Sequence, residues 1–471
     1  MYGYNPFEKA IEDVAVSDLS VLRDVPEGWY VEYKQEIPNG RSIAKSLSAF
    51  ANTYGGWLFY GVKESADGRR VAGGFPGILT TEVPAAEQAI RQAASALVSP
   101  PPTFETKILN GPDKALGIDA DHSVIAIGVP VGNNAPYVHG SGVIYRRVAD
   151  SSEPRPETDR HFLDLLWKRG DDTKKAFDKF VHKKVGLSEA EGHISTVRIC
   201  FFPDPWKERQ LTSKLEFDDF AGFMSSLDPA DGGIPFDNIF TTDSGFIGRQ
   251  IRNNNATGAV FSWRYDYNCS SEILLPLNSV WVNEVRDMGQ FLEGYEFREA
   301  FMRKSSSDNL RGFHLVDISQ LYAVLYSIMR RKKALLAREG LRWRLFYKIQ
   351  LSNFWRRVPF VDLKEVVSFM VQHGIPVVQD NTSYVPPGKG PNSCKEIKPY
   401  NRPEFNEEAE LQIDATVLFL TLCSALGLPA TAFGMAGQKE EEEEGEDLSM
   451  TRLLLLGERA QKVTMGRGKS R

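Results

Sequence analysis

The stretch WYVEYKQEIPNGRSIAKSLSAFANTYGGWLFYGVKES, Trp29 to Ser65, changes its hydrophobic period twice. In WYVEYK the alternation puts Trp29, Val31 and Tyr33 on one face of a strand and Tyr30, Glu32 and Lys34 on the other. From Arg41 to Tyr54 the spacing is helical: Ile43, Leu47 and Phe50 recur with Ala44 and Ala51 beside them, which predicts an amphipathic helix lying on a sheet. Gly55 and Gly56 end that helix, and WLFYGV is apolar on both faces, as a central strand is. Glu64 follows at the strand end, where open α/β sheets hold ligands. In a continuous strand Glu27 would face away from Glu32, but the turn signal PEG resets that parity.

The same reading extended along the chain predicts an α/β (α+β) multidomain protein. An N-terminal arm (1–20) precedes a mixed α/β domain (21–170) of alternating short strands and helices. The charged run KRGDDTKKAFDKFVHKK predicts a helical linker over 171–190. Strand-like runs in HISTVRICFFPDPW and GAVFSWRYDYNCSSEILLPLNSVWVNEV predict a second α/β region over 191–300. Residues 301–436 read as helix-rich, because SQLYAVLYSIMRRKKALLAREGLRWRLFYKIQLSNFWRRV lacks proline and is apolar at helical spacing, with a break at Ser352 to Pro359. The last segment, 437–471, holds KEEEEEGED and reads as an acidic disordered tail in which LLLL is a short docking segment.

Composition narrows the class. With 42% hydrophobic and 25% charged residues and a net charge of -6, the chain is a soluble globular protein and not a basic nucleic-acid coat. Cys200, Cys269, Cys394 and Cys423 have no metal-ligand spacing and are expected to be reduced, mostly buried thiols. Without a basic head followed by an apolar run, or a bilayer-length apolar stretch, the expectation is a cytoplasmic protein with no membrane contact. The terminal GRGKSR has Val463 where a phosphate loop needs glycine, so no nucleotide cofactor is expected. The chain also lacks HExxH and GxSxG patterns.

Two clusters carry candidate chemistry. Glu27, Glu32 and Glu64 with Lys34 are the residue types that hydrolytic phosphodiester cleavage needs: acids to hold a divalent cation, and a lysine to stabilise the phosphate. An exposed Glu and Lys on a strand equally form a plain ion pair, and the residues alone leave both readings open. The run Arg330 to Arg357 interleaves cations, Arg342, Arg344 and Lys348 among them, with Trp343 and other aromatics, which suits phosphate neutralisation and base stacking. The competing reading makes the aromatics core and the cations the wet face of a helix.

The string VEYKQ…IAKSLSAFANTYGGWLFYGVKES closely resembles the Schlafen AlbA-type domain, also described as a divergent AAA-associated DNA-binding domain. SPPP at Ser99 to Pro102, APYVHGSGVIYRRVADSSEP at Ala135 to Pro154 and the helix RHFLDLLWKRG extend the resemblance over the first third of the chain. It implies a metal-dependent endoribonuclease acting on structured RNA, transfer RNA above all, through Glu27, Glu32 and Glu64 with Mg2+ or Mn2+. The third acid is Glu where the family usually has Asp, and Lys63 replaces a commonly acidic neighbour. Many family members are described only as DNA-binding or ATP-binding, so a non-catalytic DNA-binding transcriptional or defence regulator is the alternative. RNA is favoured over DNA as the partner, and the C-terminal region is assigned a protein partner or a second copy of the chain. Asn52 reads as a helix cap. Of Arg146 and Arg147, alternating on one strand, at most one faces the site, as a phosphate clamp or as a surface ion pair.

Overall fold

In the computed structural model, which describes residues 4–148, 151–209, 211–252, 254–341, 344–397, 406–434 and 452–463, the strand read from WYVEYK is β1 (Val31–Lys34). It runs parallel to β2 (Gly56–Tyr60), with Glu32 opposite Leu58. Between them lies the expected helix, α1 (Gly40–Asn52), capped where the Asn39 side chain accepts from the Ser42 amide. β3 (Lys63–Glu64) and β4 (Ala72–Gly74) form a hairpin. β5 (Ile78–Leu79), α2 (Val83–Leu97), β6 (Val98–Ser99), β7 (Glu105–Asn110), β8 (His122–Val129) and β9 (Val138–His139) follow. β8 is the centre of the sheet: β2 and β5 share one of its edges and β7 takes the other, all antiparallel to it. β6 pairs with β9, and β10 (Tyr145–Val148) with β11 (Ser151–Pro156). The helix α3 (Arg160–Val181) comes next.

Side-chain alternation sorts this sheet into two cores. Leu58, Tyr60, Ile125 and Ile127 point to the face covered by Ile43, Leu47 and Phe50 of α1 and Ile90 of α2. Trp57, Phe59, Val124 and Ala126 join Val31 and Tyr33 on the other face, which Phe7, Ile11, Leu19 and Leu22 cover. The N-terminal arm is therefore part of the domain core. Gly56 is required where α1 turns into β2: its φ is +154°, and a Cβ there would lie 2.4 Å from the Tyr30 carbonyl oxygen and 2.5 Å from the Phe50 ring.

The chain divides into two compact units, Met1–Phe177 with Trp206–Gln210, and Asp178–Pro205 with Leu211–Arg471. The first thus recruits a short segment from far along the sequence. Within it, the buried Glu208 accepts from Thr103 Oγ1 at 2.7 Å, from the Asn133 and Asn134 amides at 2.9 and 3.0 Å, and from the Tyr137 hydroxyl.

In the second unit, the regions read separately as 191–300 and 301–436 share one antiparallel sheet and one core. Its strands run in the order Asn238–Thr242, Gly245–Arg249, Ser262–Asp266, Ser271–Pro276, Thr196–Phe202 and Leu345–Ser352, with Thr382–Val385 and Lys395–Ile397 on the last edge. The long helical reading of the basic run needs correction. The helix Leu321–Arg338 stops before Gly340, whose φ is +71°, and Leu345–Ser352 is a strand whose Leu345, Tyr347, Ile349 and Leu351 enter the core at a period of two. The cations are not simply a wet face either: Arg331 and Lys332 are buried. Lys332 donates to the Cys269 carbonyl and to Ser271 Oγ, and burial lowers its pKa to about 7.

The tail reading also changes. Residues 452–463 are helical, with Leu453, Leu456 and Ala460 buried in the core of the second unit. The acidic run KEEEEEGED and the terminal GRGKSR lie outside the described residues. The chain is a mixed α/β multidomain protein, and none of its described helices is long and apolar enough to cross a membrane.

Candidate nucleic-acid interface

Glu32 lies on β1, Glu27 precedes that strand and Glu64 lies on β3 beyond the end of β2, and the structure gives each a different environment. Glu32 is 1% exposed. Its Oε2 accepts from Arg147 Nη1 at 2.7 Å, and its Oε1 from Ser46 Oγ at 3.0 Å, with Lys34 Nζ at 3.2 Å. Arg147 is fully buried on β10. Its Nε and Nη2 donate to the Gly28 carbonyl at 2.9 and 2.6 Å, and its guanidinium lies 4.7 Å from the centre of the Phe50 ring. Burial lowers the Arg147 pKa, with Glu32 the largest of the charges opposing that. Neither reading of this arginine from sequence holds, because β10 turns it into the core, where its hydrogen bonds join the β1 entry to the sheet.

Glu27 is buried beside this pair and accepts from the Tyr33 amide at 2.5 Å. Burial pushes its carboxyl up to about 7; the Tyr33 amide and Lys34 oppose this, while Glu64 and Glu32 add to it. Burial also acts against the Lys34 ammonium, but Glu32, Glu27 and Glu153 outweigh it and hold the pKa above its ordinary value. Lys34 therefore sits in an ion-pair network with Glu32 and, at 3.8 Å, Glu153. Glu64 is exposed on β3. Near Glu32, the buried Tyr60 hydroxyl has no hydrogen-bond partner among the described residues.

The cation that the family resemblance implies would need open oxygens converging from several acids. Both Glu32 oxygens already receive donors, one of them a guanidinium, and Glu27 Oε1 is taken by a backbone amide. Among the described residues no group of three His, Cys, Asp or Glu side chains is placed to hold a metal ion. In this arrangement the residues do not fit the cation.

The remaining candidates are dispersed. Arg146 pairs with Glu157 at 2.6 Å and lies over the Phe162 ring. In the second unit Arg344 pairs with Glu396 at 2.8 Å. Lys348 is buried and donates to the Gly388 carbonyl and Ser393 Oγ, which removes it from any surface contact. Arg342 and Trp343 lie outside the described residues.

Sequence reasoning missed two features. Asn52 does more than end a helix: its Nδ2 donates to the Tyr137 and Tyr145 carbonyls at 2.8 and 3.0 Å, and its Oδ1 accepts from the Tyr137 amide at 2.8 Å. Arg169 caps the same helix end, donating to the Asn52 carbonyl at 3.0 Å. The only sequence signal for either was the run FANT, which marks a helix end and not its distant partners.

Residues 27–156 match the model of the family Schlafen, AlbA_2, and form a Schlafen AlbA-type domain. No curated protein matches the chain. Among solved structures, the DIP2311 protein from Corynebacterium diphtheriae is similar at 18% identity and a TM-score of 0.21, over 35% of this chain and 32% of that one. The aligned part is about a third of that protein's length.

Proposed function

We propose that the protein binds nucleic acid through the Schlafen AlbA-type domain at residues 27–156, without cutting it. The observation that carries the second half of the reading is the buried pairing of Glu32 with Arg147. An acid holding an arginine inside the core is architecture, since a buried cation without its counter-ion is strongly destabilising. Phosphates are met instead by the exposed Lys63 and Arg70 of the β3–β4 hairpin, where Arg69 is paired with Asp67 at 2.7 Å.

A metal-dependent endonuclease acting on structured, transfer-RNA-like RNA is the second reading. One observation favours it: burial raises the Glu27 carboxyl and the charges of Glu64 and Glu32 add to that rise, a grouping of acids that a cation would relieve once the donors now on Glu32 and Glu27 were displaced.

The test uses labelled transfer RNA and single- and double-stranded DNA with wild type and Glu64→Gln, in manganese, magnesium or chelator. Glu64 is the informative position because it is exposed, so the exchange unpairs no buried charge. Binding that weakens with salt, ignores chelator and leaves the substrate whole supports the binding reading. Metal-dependent cleavage lost in Glu64→Gln overturns it in favour of the nuclease.

A further inference from the structure

At the start of β1, four aromatic rings form a connected group. Tyr4 and Tyr30 are 5.5 Å apart between ring centres, Tyr30 and Tyr54 6.1 Å, and Trp29 and Tyr54 5.6 Å. Tyr54 is 48% exposed and Tyr4 37%, while Trp29 and Tyr30 are half-buried. The two cores of the first unit do not include Trp29 or Tyr54, so these rings present aromatic faces outside the packed interior. The β3–β4 hairpin borders them: the Arg70 carbonyl accepts from the Glu27 amide at 2.8 Å, two residues before Trp29. Arg70 is exposed and makes no ion pair among the described residues. Rings that can stack on bases thus lie on the chain segment that the Arg70 backbone meets, and the exposed Arg70 can take a phosphate of the same strand.

We propose that Trp29 and Tyr54, flanked by Arg70, form a stacking platform for unpaired bases, so that the domain selects single-stranded or frayed nucleic acid over an intact duplex. This rests on the binding reading above and adds the substrate class. A duplex keeps its bases stacked on one another and offers the rings only its ends, whereas every unpaired base has a free π-face. Tyr30 and Tyr4 support the platform from behind, with the Tyr4 carbonyl tied to Trp57 Nε1 at 3.0 Å.

The experiment is fluorescence anisotropy with a labelled single-stranded oligonucleotide and a blunt hairpin of matched composition, using the full chain as wild type, Tyr54→Ala, Trp29→Ala and Tyr54→Phe, with mass from light scattering alongside. Tyr54→Ala and Trp29→Ala should each weaken single-strand binding about ten-fold or more, leave hairpin binding within about two-fold, and Tyr54→Phe should bind as wild type does. Single-strand binding unchanged in both alanine variants, by a wild type that does bind, overturns the platform and leaves the binding reading standing. A wild type that binds neither oligonucleotide overturns both. A wild-type dimer that Tyr54→Ala turns into a monomer, with oligonucleotide binding unchanged, makes the platform a contact between copies and also overturns the proposal.

Discussion

Glu32 and Arg147 support each other: each is buried, and removing either takes the nearest opposite charge from the other, although Lys34 still lies 3.2 Å from Glu32. Glu32→Ala should lower the stability of the first unit by about 3–5 kcal/mol in urea unfolding, and Glu32→Gln with Arg147→Met together should recover much of that loss. A single variant that unfolds at the wild-type midpoint would show that the pair is not structural. The same substitution is therefore a poor test of catalysis, since activity would vanish with the fold. Glu27 sets a pH dependence. Its folded pKa, about 7, lies above the ordinary carboxylate value, so its favourable contribution is complete at about pH 4 and declines as pH rises through 7. Glu27→Gln keeps an oxygen for the Tyr33 amide and removes the charge. It should raise stability at pH 8 by up to about 3 kcal/mol and change little at pH 5, which thermal melts at the two pH values would check.

At the end of α1, a single side chain holds distant backbone at the approach to β9 and at the start of β10. Asn52 ties the helix end to the backbone at Tyr137 and Tyr145, and it is fully buried. Asn52→Ala strands a buried amide and two carbonyls and should destabilise the first unit by about 2–4 kcal/mol; a change below about 0.5 kcal/mol would show that the tie is dispensable. The period of α1 was legible because one face is buried and the other is not. The basic run misled for the complementary reason: Lys348 and Gln350 are buried on the opposite face of the strand Leu345–Ser352, so polar residues fell where a one-sided helix would have placed its wet face.

The first unit is discontinuous, and Trp206–Gln210 belongs to it. A fragment ending at Phe177 would lack Glu208, the shared acceptor for Thr103, Asn133, Asn134 and Tyr137. In the full chain, Glu208→Ala should reduce hydrogen-exchange protection at 133–137 at least ten-fold while leaving the strand Leu345–Ser352 unchanged. Equal protection in variant and wild type would mean that the segment is only an appendage. Boundaries drawn from composition miss such a return, because nothing local in PDPWKERQ states which distant amides its glutamate will meet.

By itself, the sequence determined the strand, helix and strand around AFANTYGG, the apolar faces of β2 and α1, and the Schlafen AlbA-type domain, because period and turn chemistry are local and repeat every few residues. Tertiary structure alone decided that Arg147 is the counter-ion of Glu32, that Lys348 is buried, that Glu208 completes the first unit and that Tyr54 stands beside Trp29. Each of these depends on residues brought together across the chain, where a single burial or pairing sets the charge state and the exposed face, and no local period records it.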